Sequence, residues 1–298
     1  MSTVSHKTAK VETQHNEPVK VYISADIEGI TGLVSWSQCG RPDGHHWDFP
    51  FARRMMTHDV NAAIRGAKAA GATAIVIKDS HGTSKNLLID ELEPGVSLVS
   101  GHGGGIDGMM MGIDGTFDAA MLVGYHAMAG TTAGIMEHTI TGGVHRLHIN
   151  GVPSGEIALS AGVAGRYGVP LVFISSDQAG CEEAQSVVQG IGTAAVKKGL
   201  ARYMGECLSP DQTAPMIESG VEAALRQKSS VKPWLPDEPT TIRVEFNRSE
   251  EADMCQRLIF GDRLDAYTVE VKFDTYLVAH QACWNLMAMS FQGIASQH

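Results

Sequence analysis

Carboxylates and imidazoles recur in this chain where apolar runs end. Asp26 and Glu28 follow "VYISA", Asp79 and His81 follow "AIVIK" in "KDSHG", and His126 follows "AAMLVGY". In open parallel sheets, ligands bind beyond the carboxyl ends of the strands. Three strands would thus deliver Asp, Glu and two His to one edge. Glu156, after "NGVPSG", and His138, in "IMEHT", complete the candidates. At positions i and i+2, Asp26 and Glu28 point to the same side if the extended backbone persists. Two such carboxylates repel unless a cation or a donor lies between them. With His81, His126 and Glu156 they make the mixed nitrogen and oxygen set that zinc takes. Five donors exceed what one tetrahedral zinc needs while keeping a water. They suit two metals sharing a bridging carboxylate, about 3.5–4 Å apart as in dinuclear hydrolases.

Each residue also has an ordinary structural reading. A strand-end Asp serves as a turn former or helix cap. A Glu opening a helix, as Glu156 would, suits the helix dipole. Lone histidines are more often packed side chains than ligands. The coincidence at several strand ends is what singles these residues out. Asp79 is assigned an orienting role behind the ligands.

The elements that must position them follow from periodicity. A β-branched strand is expected over 19–25, then a loop, then a helix over 51–71 with Gly71 as its C-cap. "ATAIVIKD" reads as a strand buried on both faces. Strand, helix, strand makes a βαβ unit and favours a parallel sheet. Further strands fall within 96–101, within 117–126 ending near Gly124, and over 169–177. Asn150-Gly151 suits a type I′ turn, so 144–156 reads as a hairpin. Helices are expected over 157–168, from 181, and over 211–228. A proline-rich connector leads to strands within 241–247 and 267–273, with a helix between them and a last amphipathic helix over 275–293. The fold class is therefore α/β, a mostly parallel sheet flanked by helices with a smaller C-terminal α+β portion. The expected division is a flexible tail over 1–18, an α/β metal-binding core over 19–190 and the smaller portion over 191–298.

Other motifs are set aside. "GHGGGIDGMMMGIDG" lacks the ending of a P-loop, and its "HGGG" has no G-x-S-x-G to accompany it. It reads as a flexible loop, with Met109, Met110 and Met111 as packing or interface residues. No H-E-x-x-H occurs. His45 and His46, beside Trp47, read as surface or pocket wall, and His145 and His148 as structural. The chain has 298 residues and a formal net charge of -10, which argues against a nucleic-acid partner. Its 5 scattered cysteines fit a reducing compartment. The N-terminus lacks an apolar signal segment and no apolar run would span a membrane. A soluble cytoplasmic protein is expected.

With these residues in view, the chain resembles the D-aminopeptidase family of dizinc metallopeptidases, of the dipeptide-transport-operon type. "SADIEGITG", "KDSHG", "LVGYHAMAG", "GIMEHT", "INGVPSGE" and "CLSP" carry the resemblance, in order, from about Val21 to Met289. It departs in the longer tail, in the loops around "GRPDGHHWDF" and "GHGGGIDGMMMG", and at Glu137. The resemblance implies two Zn2+ per subunit on Asp26, Glu28, His81, His126 and Glu156, and a catalytic role for His138. It implies cleavage of the N-terminal residue from short peptides or amino-acid amides through a two-metal-activated water, with a preference for D-residues. It implies a self-compartmentalising ring, a homodecamer of two stacked pentamers. Two other readings stand beside it. One is a dizinc amidase of the same fold acting on L-peptides, β-peptides or other small amides. The other is a non-catalytic, metal-stabilised assembly protein.

Overall fold

The computed structural model describes residues 19–39 and 48–295. The tail expected over 1–18, and His45, His46 and Trp47, lie outside the described residues. In chain order the elements are β1 (Val19–Ala25), α1 (Phe49–Ala69), β2 (Ala72–Asp79), β3 (Ser97–Val99), β4 (Ala119–Val123), β5 (Val144–Ile149), β6 (Val152–Pro153), α2 (Glu156–Arg166) and β7 (Leu171–Asp177). They continue with α3 (Gln178–Val187), β8 (Gly192–Ala201), β9 (Met204–Cys207), α4 (Pro210–Arg226), β10 (Thr240–Phe246), α5 (Ser249–Cys255), β11 (Asp262–Arg263), β12 (Thr268–Phe273) and α6 (Tyr276–Ala295).

Seven strands form one sheet in the order β3-β2-β1-β4-β7-β8-β9. It is parallel except where β9 returns antiparallel to β8. β1 lies inside it with parallel neighbours on both sides, and its last five residues are all buried. That explains its mostly apolar character: an interior parallel strand is covered on both faces. β2 is less enclosed than its composition suggests, because β3 pairs only with Val76 to Lys78 and leaves Thr73 and Ala74 exposed. α1 buries Ala52, Met56, Val60, Ala63 and Ala67 along one stripe and packs on α4.

The second sheet is antiparallel, in the order β11-β12-β10-β5-β6. Its β5–β6 turn places Asn150 and Gly151 at φ 50° and 82°, the left-handed pair that a type I′ turn demands. α6 packs on α5 and on this sheet, and also on α2, which in turn packs on β7. The Tyr276 hydroxyl, buried, donates to Leu159 O at 2.6 Å and ties α6 to α2. The α/β class and the mostly parallel sheet match expectation.

The two sheets interleave along the chain. β5 and β6 precede residue 190 yet belong to the small sheet, whereas β8 and β9 follow it and extend the large one. β8 and β9 arise where periodicity assigns no element. β8 reads "GTAAVKKGLA", small residues and lysines with little intrinsic strand preference. Pairing with β7 makes it a strand. In the Gly101–Gly115 loop, a short 3₁₀ turn carries Met109 and Met110 into the core. Among the described residues, no helix is long and apolar enough to cross a membrane.

Candidate metal centre

The strand ends do converge. Past Ala25, the chain stays on the sheet edge because Asp26 N donates to Val123 O at 2.8 Å and Gly29 N to Gly124 O at 2.7 Å. That approach requires Gly29: a Cβ there would sit 1.7 Å from Tyr125 O. The loop after β1 is thereby pressed against the loop that carries His126.

His81 comes from the loop after β2. Asp79 accepts from Asn86 N at 2.6 Å, Asn86 Nδ2 at 2.8 Å and Leu87 N at 2.8 Å, and Asn86 Nδ2 also donates to His81 O at 2.8 Å. Asp79 thus shapes the turn that presents His81 and works through Asn86. His126 follows β4, and its Nδ1 donates to Ala127 O at 2.9 Å, which leaves Nε2 to face the carboxylates. Glu156 is the first residue of α2, and its Oε1 accepts Ile140 N at 2.5 Å. That bond reaches into the loop bearing His138, where Ala133, Met136 and Ile140 all have positive φ of 59°, 55° and 62°. Non-glycine residues held in that region mark a backbone imposed by its surroundings. His138 Nδ1 donates to Met136 O at 3.0 Å. Its ring stacks on His126 at 4.0 Å between centroids and meets the edge of Trp36 at 5.0 Å.

The polar atoms of these six residues meet in one place. His81 Nδ1 lies 3.2 Å from Asp26 Oδ1 and 3.1 Å from Glu28 Oε2. His126 Nε2 lies 3.6 Å from Asp26 Oδ2 and 3.3 Å from Glu156 Oε1. His138 Nε2 lies 3.7 Å from Glu156 Oε1 and 4.0 Å from Glu28 Oε1. Asp26, Glu28, His126, His138 and Glu156 are buried, and His81 is partly so.

Three carboxylates and three imidazoles out of water need compensation. Burial pushes the Asp26 carboxyl up to about 7, and Glu28 beside it adds to the rise. Burial works against charge on His81 and His126 too, but Glu28 for the one and Glu156 for the other outweigh it, so both rings sit well above the usual histidine value. His138 goes the other way: burial and the His126 ring bring it down to about 4. Glu28 Oε2 and His126 Nε2 have no hydrogen-bond partner among the described residues. One ring proton on His81 cannot serve both carboxylates that face it. A divalent cation would relieve both deficits, and the donor atoms are spaced for it: Asp26, Glu28 and His126 form one group, and His126, His138 and Glu156 another, each within 4.8 Å. The set fits zinc.

All the candidates from sequence analysis except Asp79 thus lie in one cluster, with Asp79 one turn behind it. Sequence reasoning passed over three neighbours. Lys197, fully buried on β8, donates to the loop after β1. Glu183 on α3 accepts Met128 N at 2.6 Å, just past His126, and its burial raises it to about 7. Trp36 braces His138 and donates through Nε1 to the Tyr203 hydroxyl at 3.1 Å. None of them stands beside a motif.

Comparison with known proteins identifies the family. A peptidase M55 family model, described as D-aminopeptidase, matches residues 19–284. The D-aminopeptidase of Bacillus subtilis (strain 168) is 34% identical over 266 residues, which cover 89% of this chain and 95% of that protein. A solved structure of the Zn-dependent D-aminopeptidase DppA from Bacillus subtilis, described as a self-compartmentalizing protease, has a TM-score of 0.88 at 32% identity, covering 92% of this chain and 98% of that one.

Proposed function

We propose, for a chain that belongs to the D-aminopeptidase family, that it is a zinc-dependent aminopeptidase that removes the N-terminal residue from short peptides or amino-acid amides with a preference for D-residues. The observation that carries the metal reading is the buried cluster itself, in which Asp26 turns Oδ1 towards His81 and Oδ2 towards His126. A carboxylate whose two oxygens face different ligand groups would suit a bridging role. Two Zn2+ per subunit would be held by Asp26, Glu28, His81, His126 and Glu156. Bound there, zinc supplies Lewis-acid polarisation of the scissile carbonyl and a water acidic enough to ionise near pH 7.

The chain's own groups do the rest. His138 carries the catalytic role. Its Nδ1 proton is committed to Met136 O, so Nε2 is the basic atom, and the depressed pKa keeps it unprotonated at neutral pH. That nitrogen accepts a proton beside Glu28 and Glu156 and returns it to the leaving amine. The stacked His126 ring and the Trp36 edge hold its plane. Asp79, through Asn86, holds the turn that presents His81. The assembly is a ring of ten copies that encloses the sites. Five free thiols suit a reducing compartment, and the cytoplasm is the proposed location. The negative balance of the chain leaves no nucleic-acid role, and a peptide is the partner.

The test is a hydrolysis panel on zinc-loaded protein, with D- and L-aminoacyl amides and dipeptides side by side. D-substrates should be cleaved faster, and a chelator should abolish turnover. Protein that holds two zinc ions yet cleaves no D-substrate would overturn the reading. Faster cleavage of L- or β-peptides would move the specificity and keep the chemistry.

A further inference from the structure

A lysine without an ion pair is rare in a protein interior, because an ammonium loses its hydration there. Lys197 is 2% exposed and lies in the middle of β8. Its Nζ is 2.6 Å from Glu28 O, 2.9 Å from Ile30 O and 2.5 Å from Leu33 O. An ammonium has three donors, and all three are spent on main-chain carbonyls of one loop. That loop joins β1 to the rest of the chain and carries Asp26 and Glu28 at its start. Its carbonyls at 28, 30 and 33 face β8, whereas buried carbonyls need partners. The lysine supplies them.

From the other side, Asp59 on α1 takes Thr31 N and Thr31 Oγ1, each at 2.8 Å. The loop is thus gripped by a cation through its carbonyls and by an anion through an amide and a hydroxyl. Glu28 is held at both ends: its carbonyl oxygen by Lys197, and its carboxylate beside His81 and His138. Fixing the carbonyl fixes the peptide plane, and with it the direction in which the carboxylate leaves the backbone.

We infer that Lys197 is a positioning residue of the metal centre: its ammonium, seated on three carbonyls, sets the loop that presents Asp26 and Glu28, so that the ligand geometry exists before metal arrives. The inference rests on the zinc reading above and concerns a residue that touches neither metal nor substrate. Groups that orient metal ligands from behind cost about 10- to 100-fold in metal affinity when removed. Lys197→Met keeps the length and apolar stem and deletes the charge and donors.

The decisive comparison is with Val196→Ala. Val196 is buried beside Lys197 on the same strand, and its apolar side chain makes no hydrogen bond to the loop. Both variants should melt lower than wild type. In competition with a chromogenic chelator, Lys197→Met should bind zinc about 10- to 100-fold more weakly, and Val196→Ala with wild-type affinity. Wild-type affinity in Lys197→Met, or an equal loss in Val196→Ala, overturns the inference. A second measurement covers a Lys197→Met protein that does not fold. In metal-free wild type, the amides of Gly29 and Thr31, bonded to Gly124 O and Asp59, should keep the hydrogen-exchange protection they have with zinc. Their loss of protection on chelation would show that metal, not Lys197, orders the loop. Wild-type protein that binds no zinc would sink the metal reading, while the exchange result would still decide the anchoring.

Discussion

Replacing Asp26 with Asn should make the metal-free protein more stable and the zinc-treated protein less so. Without metal, burial and Glu28 raise the Asp26 carboxyl from 3.8 to about 7. A group whose folded pKa is raised in this way is disfavoured as the anion in the folded state. Its penalty is absent below pH 3.8, grows as pH rises, and is complete above about 7. That rise sets an upper bound of about 4 kcal/mol on the penalty, at about 1.4 kcal/mol for each pH unit. The bond from His81 Nδ1 at 3.2 Å, which favours the anion, is already counted in that rise. A gain of about 1–2 kcal/mol, well inside that bound, is expected for Asp26→Asn at pH 8, or about 2–3 °C in Tm for a chain of this size. The assay is thermal unfolding at pH 5 and pH 8, with chelator and then with zinc. In chelator the variant should lead at pH 8, with the lead shrinking at pH 5. With zinc the order should reverse, because ligand binding stabilises only the protein that retains its site. A chelated variant no more stable than wild type at pH 8, or a lead that does not shrink at pH 5, would refute the electrostatic account. An unchanged zinc-induced shift in the variant would remove Asp26 from the ligand set.

Two further outcomes are expected. His138→Ala should retain two zinc ions per chain, by elemental analysis of dialysed protein, and lose about 10²- to 10⁴-fold in kcat, the usual worth of a positioned acid-base group; loss of one zinc would instead make it a ligand, as its place in the second donor group allows. Sedimentation of the zinc-loaded protein should give a mass of ten chains, and a monomer that retains full turnover would dissociate activity from the ring.

The fold was readable where one strand's own residues announce it. β1, β4 and β7 are apolar because parallel neighbours and helices cover them, so composition alone marks them. The candidate site was readable from a coincidence: Asp26, Glu28, His81 and His126 each follow such a run, although each alone has an ordinary structural reading. Legibility failed where an element owes its state to its neighbours. β8 is a strand because β7 pairs with it, and its "VKKG" reads in isolation as a solvated surface. Nothing in the sequence singles out Lys197, which is among the largest fully buried side chains. His138 lies in no strand end, and its place is set by a loop whose positive-φ residues carry no glycine signal. The resemblance, not the periodicity, gave it a role. Asp79 stood out in sequence, but Asn86, through which it reaches His81, did not.

One carboxylate links the two halves of the site. Glu156 Oε1 faces His126 at 3.3 Å and His138 at 3.7 Å, and also accepts Ile140 N at 2.5 Å. Ile140 is one of the residues held at positive φ, so the oxygen that would bind metal also holds the strained turn next to His138. The same logic governs the other side, where Glu28 is a ligand candidate whose own carbonyl is gripped by Lys197. In both places the backbone bond and the ligand role belong to one residue. A loop that shifts therefore moves a ligand, and a ligand that shifts loosens a loop. Strand ends separated by long stretches of sequence can in this way behave as one rigid cage. The cage's stiffness comes from hydrogen bonds to main-chain atoms, not from the apolar packing that builds the sheet beneath it.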